Sequence, residues 1–355
     1  MFNFNEFAKE IMDNIKNFLP EEYENATVEL NDVQKLNQTY PALIVRKPDQ
    51  LITPSINMKE AFRAYERDGD IANVLTNLAV LVASQPEGLN MEQYTNYEIA
   101  KNNLFIRVSG LENNKEILAN APHTVVDNLA ITYHLMAGMA DGCVGSTLIN
   151  NQLMESLGIT KEQLHADALA NSEKILQPEV QPMTKMLGRM MGIEVDTPPS
   201  EKNFDEMLKE VDFSREDMYV LTNSESVNGA AVIFYPDVLE KIGEHAGGDF
   251  FVLPSSVHET LILPDNGLLS YKELETTVRE INRNELKENE RLSDSVYHYD
   301  CREHVFERAE VFEERSKEMD RNGMTVKDRL LKEARAQVEA QIGGSELKEK
   351  DQEIE

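Results

Sequence analysis

The 355-residue sequence predicts an α+β fold, with mixed or antiparallel sheets, packed helices and a charged C-terminal helical tail. Three observations carry that prediction. Short apolar runs such as LFIRV (104–108) and FFVLP (250–254) alternate with segments whose apolar residues recur every three or four positions. Turn residues punctuate the chain at short intervals. Apolar residues make up 41% of the chain, enough to build a core.

In the first part, Phe7, Ile11, Ile15 and Phe18 recur at helical spacing, so the chain is expected to open with an amphipathic helix ending at Pro20. The same stretch lacks the basic start and apolar run of a secretory signal. Ala26–Val33 and Ala42–Lys47 read as strands separated by Asn37–Pro41. Helices follow over Met58–Arg67 and Ile71–Ser84, broken at Asp68-Gly69-Asp70, and Leu104–Val108 is a strand. Leu129–Met136 and Cys143–Ile149 form a hairpin around a loop, Ala137–Gly142. Asn150 and Asn151 start a short helix that stops at Gly158. Thr160 with Gln163 fits a capping box for a helix over Lys161–Leu176, which Pro178 and Pro182 interrupt. A Met-rich helix then carries Met183, Met186, Leu187, Met190 and Met191, a pattern typical of pliable core or a contact surface.

Residues 192–217 combine Pro198-Pro199 with dense acidic charge and are the best candidate boundary, a linker plus a helix. The expected organisation is an N-terminal α+β region (1–191), this linker, a ββαββα region (218–300), a charged helical extension (301–342) and a disordered tail (343–355). Within the third region, Met218–Leu221 and Ala230–Tyr235 read as strands. Pro236 suits the first turn of a helix that carries Val238, Leu239, Ile242 and Ala246 and ends at Gly247. Phe250–Leu253 and Thr260–Leu263 pair around PSSVHE. Ser270 and Glu273 box the next helix, with Leu274, Val278 and Ile281 on one face, and Ser293–Asp300 is a last strand. Beyond Arg302, surface helices broken at Asn322-Gly323 are expected.

A net charge of −29 argues against direct nucleic-acid binding, because phosphates are repelled. Acidity alone would suit a nucleic-acid mimic, but 64 acidic residues alternate with 35 basic ones, and a solubilising surface explains them better. No window approaches the roughly 18 apolar residues that span a bilayer, so no membrane contact is expected. Two cysteines, Cys143 and Cys301, fit reduced thiols in a cytoplasmic protein.

Two clusters could carry chemistry. Ser255, Ser256, His258 and Glu259 share the PSSVHE turn, where a serine nucleophile beside a histidine base is conceivable. Residue 262 is Ile, so the second histidine of a zincin is missing, and no nucleophile elbow is present. The competing reading is a turn held by its own side chains. In YHYDCREH, His298, Asp300, Cys301 and His304 have ligand chemistry for zinc, but their spacing matches no standard motif. His123 and Asp127 are expected on one side of a strand with His134 facing the other. Gly138, Gly142 and Gly145 lack the Lys-Ser/Thr of a phosphate loop, and no cofactor is expected.

Six segments carry a resemblance: APHTVVDNLAITYH (121–134), STLINNQLMESLGIT (146–160), MYVLTN (218–223), GAAVIFYPDVLEKIGE (229–244), FFVLPSSVHETLILP (250–264) and LSDSVYHY (292–299). In order and number they resemble an uncharacterised domain-of-unknown-function family of Firmicutes, met in gut Clostridia and on mobile elements. The similarity covers roughly residues 1–300. It implies that PSSVHE belongs to a shared frame, and it implies no activity and no residue roles.

The leading expectation is a cytoplasmic binding or accessory protein that acts through a protein partner. The alternatives are a hydrolase-like enzyme centred on His258 and Glu259, joined by Asp300 and His304, and an acidic nucleic-acid-mimic inhibitor.

Overall fold

Capping and turn chemistry decide where the first elements begin. A computed structural model describes residues 2–48, 53, 55–83, 91–140, 143–192, 202–213 and 218–322. Helix α1 (Phe4–Asn14) opens with a reciprocal capping box between Asn3 and Glu6 and buries Phe7, Ala8 and Ile11. A 3-10 turn follows at Ile15–Phe18 and leaves Phe18 exposed, so the expected apolar stripe stops one residue early. Strands β1 (Thr27–Lys35) and β2 (Gln38–Arg46) form a tight hairpin in which Lys35 pairs with Gln38. Asn37 takes a left-handed φ of 63°, which an asparagine tolerates. Pro41, expected in a connecting segment, lies inside β2. It is accommodated because β3 (Ile56–Asn57) pairs only with Ala42 and Leu43, leaving Pro41 a neighbour on one side alone. Helices α2 (Met58–Asp68) and α3 (Ile71–Ala83) complete a small core with α1, and Gly69 separates them at φ 68°.

The second sheet follows α4 (Tyr97–Ala100). Strand β4 (Leu104–Gly110) precedes α5 (Lys115–Leu118), β5 (His123–Val126), β6 (Leu129–Ala140) and β7 (Cys143–Leu148). β4 pairs along one edge of β6, while β5 and β7 share its other edge in tandem. Helices α6 (Asn151–Ser156) and α7 (Lys161–Ile175) follow, and Ser172 of α7 accepts the Ile106 N–H at 3.0 Å on the open edge of β4. Thr160 caps α7 through the Gln163 N–H.

The third sheet holds the PSSVHE turn. The prolines expected to interrupt a helix bound an edge strand instead, β8 (Pro178–Pro182), where a missing N–H is tolerated. Helices α8 (Met183–Met190) and α9 (Phe204–Glu210) lead to β9 (Tyr219–Asn223). In the stretch expected to be a linker, α9 has its own capping box and buries Phe204, Met207 and Leu208. Residues 229–234, expected as a strand, form a 3-10 helix; an unbroken apolar run such as AAVIF cannot distinguish a strand from an all-round buried helix. Helix α10 (Val238–Ala246), strands β10 (Phe250–Pro254) and β11 (Thr260–Pro264), α11 (Tyr271–Asn284), β12 (Tyr297–Asp300), β13 (Val305–Arg308) and α12 (Ala309–Asn322) complete the fold. The antiparallel order is β13-β12-β10-β11-β9-β8. β13 lies where only surface helices were expected. Residues 323–342 and the tail at 343–355 lie outside the described residues.

Alternation splits this sheet between two cores. Tyr219, Leu221, Phe250, Val252, Ile262, Tyr297 and Tyr299 face the large core, which also takes Leu104, Ile106 and Leu164 from before the 192–217 stretch. Val220, Phe251, Leu253 and Leu261 face the other way, under α8, α11 and α12. The first hairpin is clasped to this body at its tip. Asn37 accepts from Asn114 Nδ2 at 2.6 Å and donates to the carbonyl of Arg291 at 3.1 Å and to that of Asn289 at 3.3 Å.

Candidate functional site

The register Pro254↔Thr260 leaves Ser255–Glu259 as the connection between β10 and β11. Its side chains close on the turn itself. The Ser255 hydroxyl donates to Glu259 Oε1 at 3.1 Å, and Ser256 Oγ accepts the His258 N–H at 3.0 Å. Val257 is buried and donates its N–H to the Glu290 carbonyl at 2.8 Å.

His258 Nδ1 accepts the backbone N–H of Asn228 at 3.2 Å, which places the ring proton of the neutral form on Nε2. The His258 carbonyl accepts from Thr222 Oγ1 at 2.8 Å. Gly229 is required beside it: a Cβ there would lie 2.2 Å from Thr222 Oγ1 and 2.5 Å from the His258 carbonyl. The loop that delivers Asn228 wraps the buried Asn223, whose Oδ1 accepts the N–H groups of Glu225 and Val227. The imidazole makes no hydrogen bond to Ser255, Ser256 or Glu259 among the described residues, so no proton path joins a serine to the histidine.

The YHYDCREH residues lie at the far end of β10. Phe250 pairs with Tyr299, so Asp300 and Cys301 run past the strand end away from Ser255. Strand alternation then divides the four expected ligands. His298 and Asp300 face α12: His298 Nε2 meets Asp265 Oδ2 at 3.1 Å, and Arg315 holds Asp300 Oδ2 at 2.8 Å and Glu307 Oε1 at 2.6 Å. The His298 ring is stacked on Phe312, with centroids 3.6 Å apart.

Cys301 and His304 lie toward α10. The Cys301 thiol donates to the Gly248 carbonyl at 3.1 Å, and His304 Nδ1 lies 3.6 Å from Glu240 Oε1. Together with Glu244, Asp249 and Arg302 they line a cleft of about 370 Å³. Burial, reinforced by Asp249 and Asp300, pushes the thiol up to about 11, away from the thiolate a metal or nucleophile needs. Among the described residues no three His, Cys, Asp or Glu side chains are arranged to hold a metal ion.

A third cluster joins a histidine singled out in the sequence, His134, to Arg107 and Ser109, which the sequence reading missed. His123 pairs directly with Thr132, two residues from His134 on β6, so both histidines lie on one face of the second sheet, contrary to expectation. Asp127 sits in the turn beyond β5 at φ 54° and pairs with Arg308 at 2.6 Å. His134 and Ser109 are buried on that face beside the half-buried Arg107. Burial, and then the positive charge of Arg107, drive the His134 imidazole well below its ordinary value, so it stays neutral. A lone arginine in LFIRV gives no periodic signal, and only the register shows what surrounds it.

Residues 4–301 match the model of a family of unknown function, DUF5688, and the chain belongs to that family. No curated protein and no solved structure matches it. β13 and α12, with Phe312 and Arg315, lie beyond the matched residues.

Proposed function

We propose that this member of a family of unknown function is an accessory protein that acts by binding a protein partner. The observation that carries the reading is on α8. Met183 and Met186 anchor that helix under the third sheet, while Leu187 on it and Met191 just past its end stay 43% and 66% exposed. Apolar residues presented together on an anchored helix suit an apolar partner surface. The candidate catalytic groups offer less, since Ser255, Glu259, His298, Asp300 and the Nδ1 of His258 are each engaged in bonds that hold the fold. A cytoplasmic setting in a mobile element of Firmicutes belongs to the same proposal and rests on the resemblance and on the free Cys301 thiol.

The test is affinity capture from the source cell with the full chain and with Leu187→Asp. A stoichiometric partner retained by the first and lost by the second supports the reading. A partner equally retained by both, or none under any growth condition, overturns it. The hydrolase-like reading keeps one foothold, the Nε2 of His258, which has no partner among the described residues. Turnover of an ester or peptide panel, abolished by His258→Asn, would favour it. Salt-sensitive inhibition of a nuclease would favour the acidic mimic.

A further inference from the structure

We infer that the face of β4 and β6 turned away from the large core is a binding site for a phosphate group, held by Arg107 and hydrogen-bonded by His134. This is independent of the partner surface on α8. The register sets the geometry. Arg107 pairs with Thr132, Phe105 with His134 and Ser109 with Ala130, so Arg107, Ser109 and His134 share one face. Ser109 and His134 flank Arg107 on opposite sides, each displaced about 7 Å along the strands. The guanidinium carbon lies 5.6 Å from the centroid of the Phe105 ring, and the His134 ring centroid lies 5.7 Å from the same point.

Three of the polar residues on this face each have an atom sealed from solvent and without a hydrogen-bond partner: Arg107 Nε, Ser109 Oγ and His134 Nδ1. Such atoms are uncommon in native proteins and call for a ligand or an ordered water. Charge separates those two explanations. The chain has 64 Asp and Glu residues, yet none of those described forms an ion pair with Arg107. Arg315, by contrast, is also turned inward and holds two carboxylates, whereas the Nε of Arg291 is sealed and unpartnered like that of Arg107. A water can satisfy Nε–H, but it cannot neutralise a guanidinium taken partly out of solvent. Only Nε is sealed, and Arg107 as a whole is half-buried, so an anion can reach the guanidinium from solvent.

The proton count selects the anion. Thr132 Oγ1 donates to the Arg107 carbonyl at 3.4 Å, so it accepts from His134 Nε2–H at 3.0 Å. The Nδ1 lone pair is therefore left with nothing to accept from. A carboxylate or sulfate offers it only another lone pair. Phosphate offers a P–OH, inorganic phosphate in both of the ions it forms near neutral pH and a phosphomonoester when bound as its monoanion: the oxyanion oxygens accept from Arg107, and the hydroxyl donates to Nδ1. The sealed Ser109 hydroxyl, beyond Arg107, is placed for the organic part of a phosphomonoester.

Thermal unfolding of the full chain with inorganic phosphate, sulfate or neither tests this. Phosphate should raise the melting temperature and sulfate should do so less, whereas Arg107→Met should fold and weaken the phosphate response about tenfold or more. Arg107→Lys, which keeps the charge and loses the planar fork, serves as the second variant and should also weaken it. Glycerol phosphate acting at lower concentration than inorganic phosphate assigns a phosphomonoester, and the reverse order assigns free phosphate; either supports the site. No phosphate response, as ordered water alone would give, or a response surviving Arg107→Met, overturns the site. An equal response to sulfate overturns the role of His134.

Discussion

The Arg315 guanidinium meets the Asp300 carboxylate at 2.8 Å with both side chains buried, and this ion pair ties α12 to the end of β12. Two backbone amides, those of Arg302 and Glu303, complete the cage around Asp300 Oδ1 at 3.0 Å each. Removing one partner of such a pair strands the other charge. Arg315→Ala should therefore destabilise the chain by about 3–5 kcal/mol, measured as a lowered urea midpoint. An effect within about 0.5 kcal/mol would show that α12 does not rely on this contact.

Acid should release the same helix. The hydrogen bond from His298 holds the Asp265 carboxyl below its ordinary value. Burial works against ionisation of Asp300, but Arg315 and the two amides outweigh it and the net direction is also downward. Groups depressed in the folded state contribute stability that is present above the unfolded carboxylate value, about 3.9, and lost as pH falls through the folded one. The urea midpoint should stay level through the weakly acidic range and fall below about pH 4. Asp265→Asn should remove part of that fall, and an unchanged profile would contradict the assignment.

Two glycines should respond in opposite ways to one methyl group. Gly229→Ala places Cβ 2.7 Å from the Asn223 nitrogen as well as against Thr222 and His258, and should cost about 1–3 kcal/mol or more. Gly248 has nothing within 4 Å of that position, so Gly248→Ala should change stability by less than about 0.5 kcal/mol. Equilibrium denaturation of the two variants checks the contrast.

If His258 serves the turn through Nδ1, an acceptor in the same place should suffice. His258→Asn should keep most of the stability, because its Oδ1 can accept the Asn228 N–H, whereas His258→Ala should cost about 1–3 kcal/mol. Equal losses would mean that the bond contributes nothing.

Cys301 should alkylate slowly. With its thiol pushed up to about 11, iodoacetamide at pH 8 should label Cys301 far more slowly than a free cysteine, followed by peptide mass spectrometry. Rapid labelling would refute its engagement with Gly248.

Much of this architecture was legible because local chemistry and tertiary structure agree. Ser270 with Glu273 and Ile71 with Val74, Leu75 and Leu78 mark helices that depend on little else, and the β10–β11 hairpin was found with its turn residues in place. Failures occurred where tertiary context decides. Pro178 and Pro182 look like breakers until an edge position gives them a strand, and the charges flanking Val305–Arg308 hide β13. Pairings across distance left no local trace. Asp265 and His298 lie 33 residues apart, and His258 finds its partner 30 residues upstream. The isolation of Arg107 is a property of its neighbours, so no pattern in its own segment announces it.

The clasp at Asn37 has a consequence in time. Its carbonyl partner at Asn289 lies 252 residues downstream. At the usual pace of synthesis, about 5–20 residues per second, the first hairpin emerges roughly 10–50 s before that partner exists. The helices α1, α2 and α3 give the early segment a core of its own during that wait. Asn114, made far sooner, can hold the hairpin tip on one side in the meantime. The clasp therefore closes only after the chain beyond α11 has been delivered, and a polypeptide that ends before Asn289 leaves Asn37 without these two carbonyl acceptors.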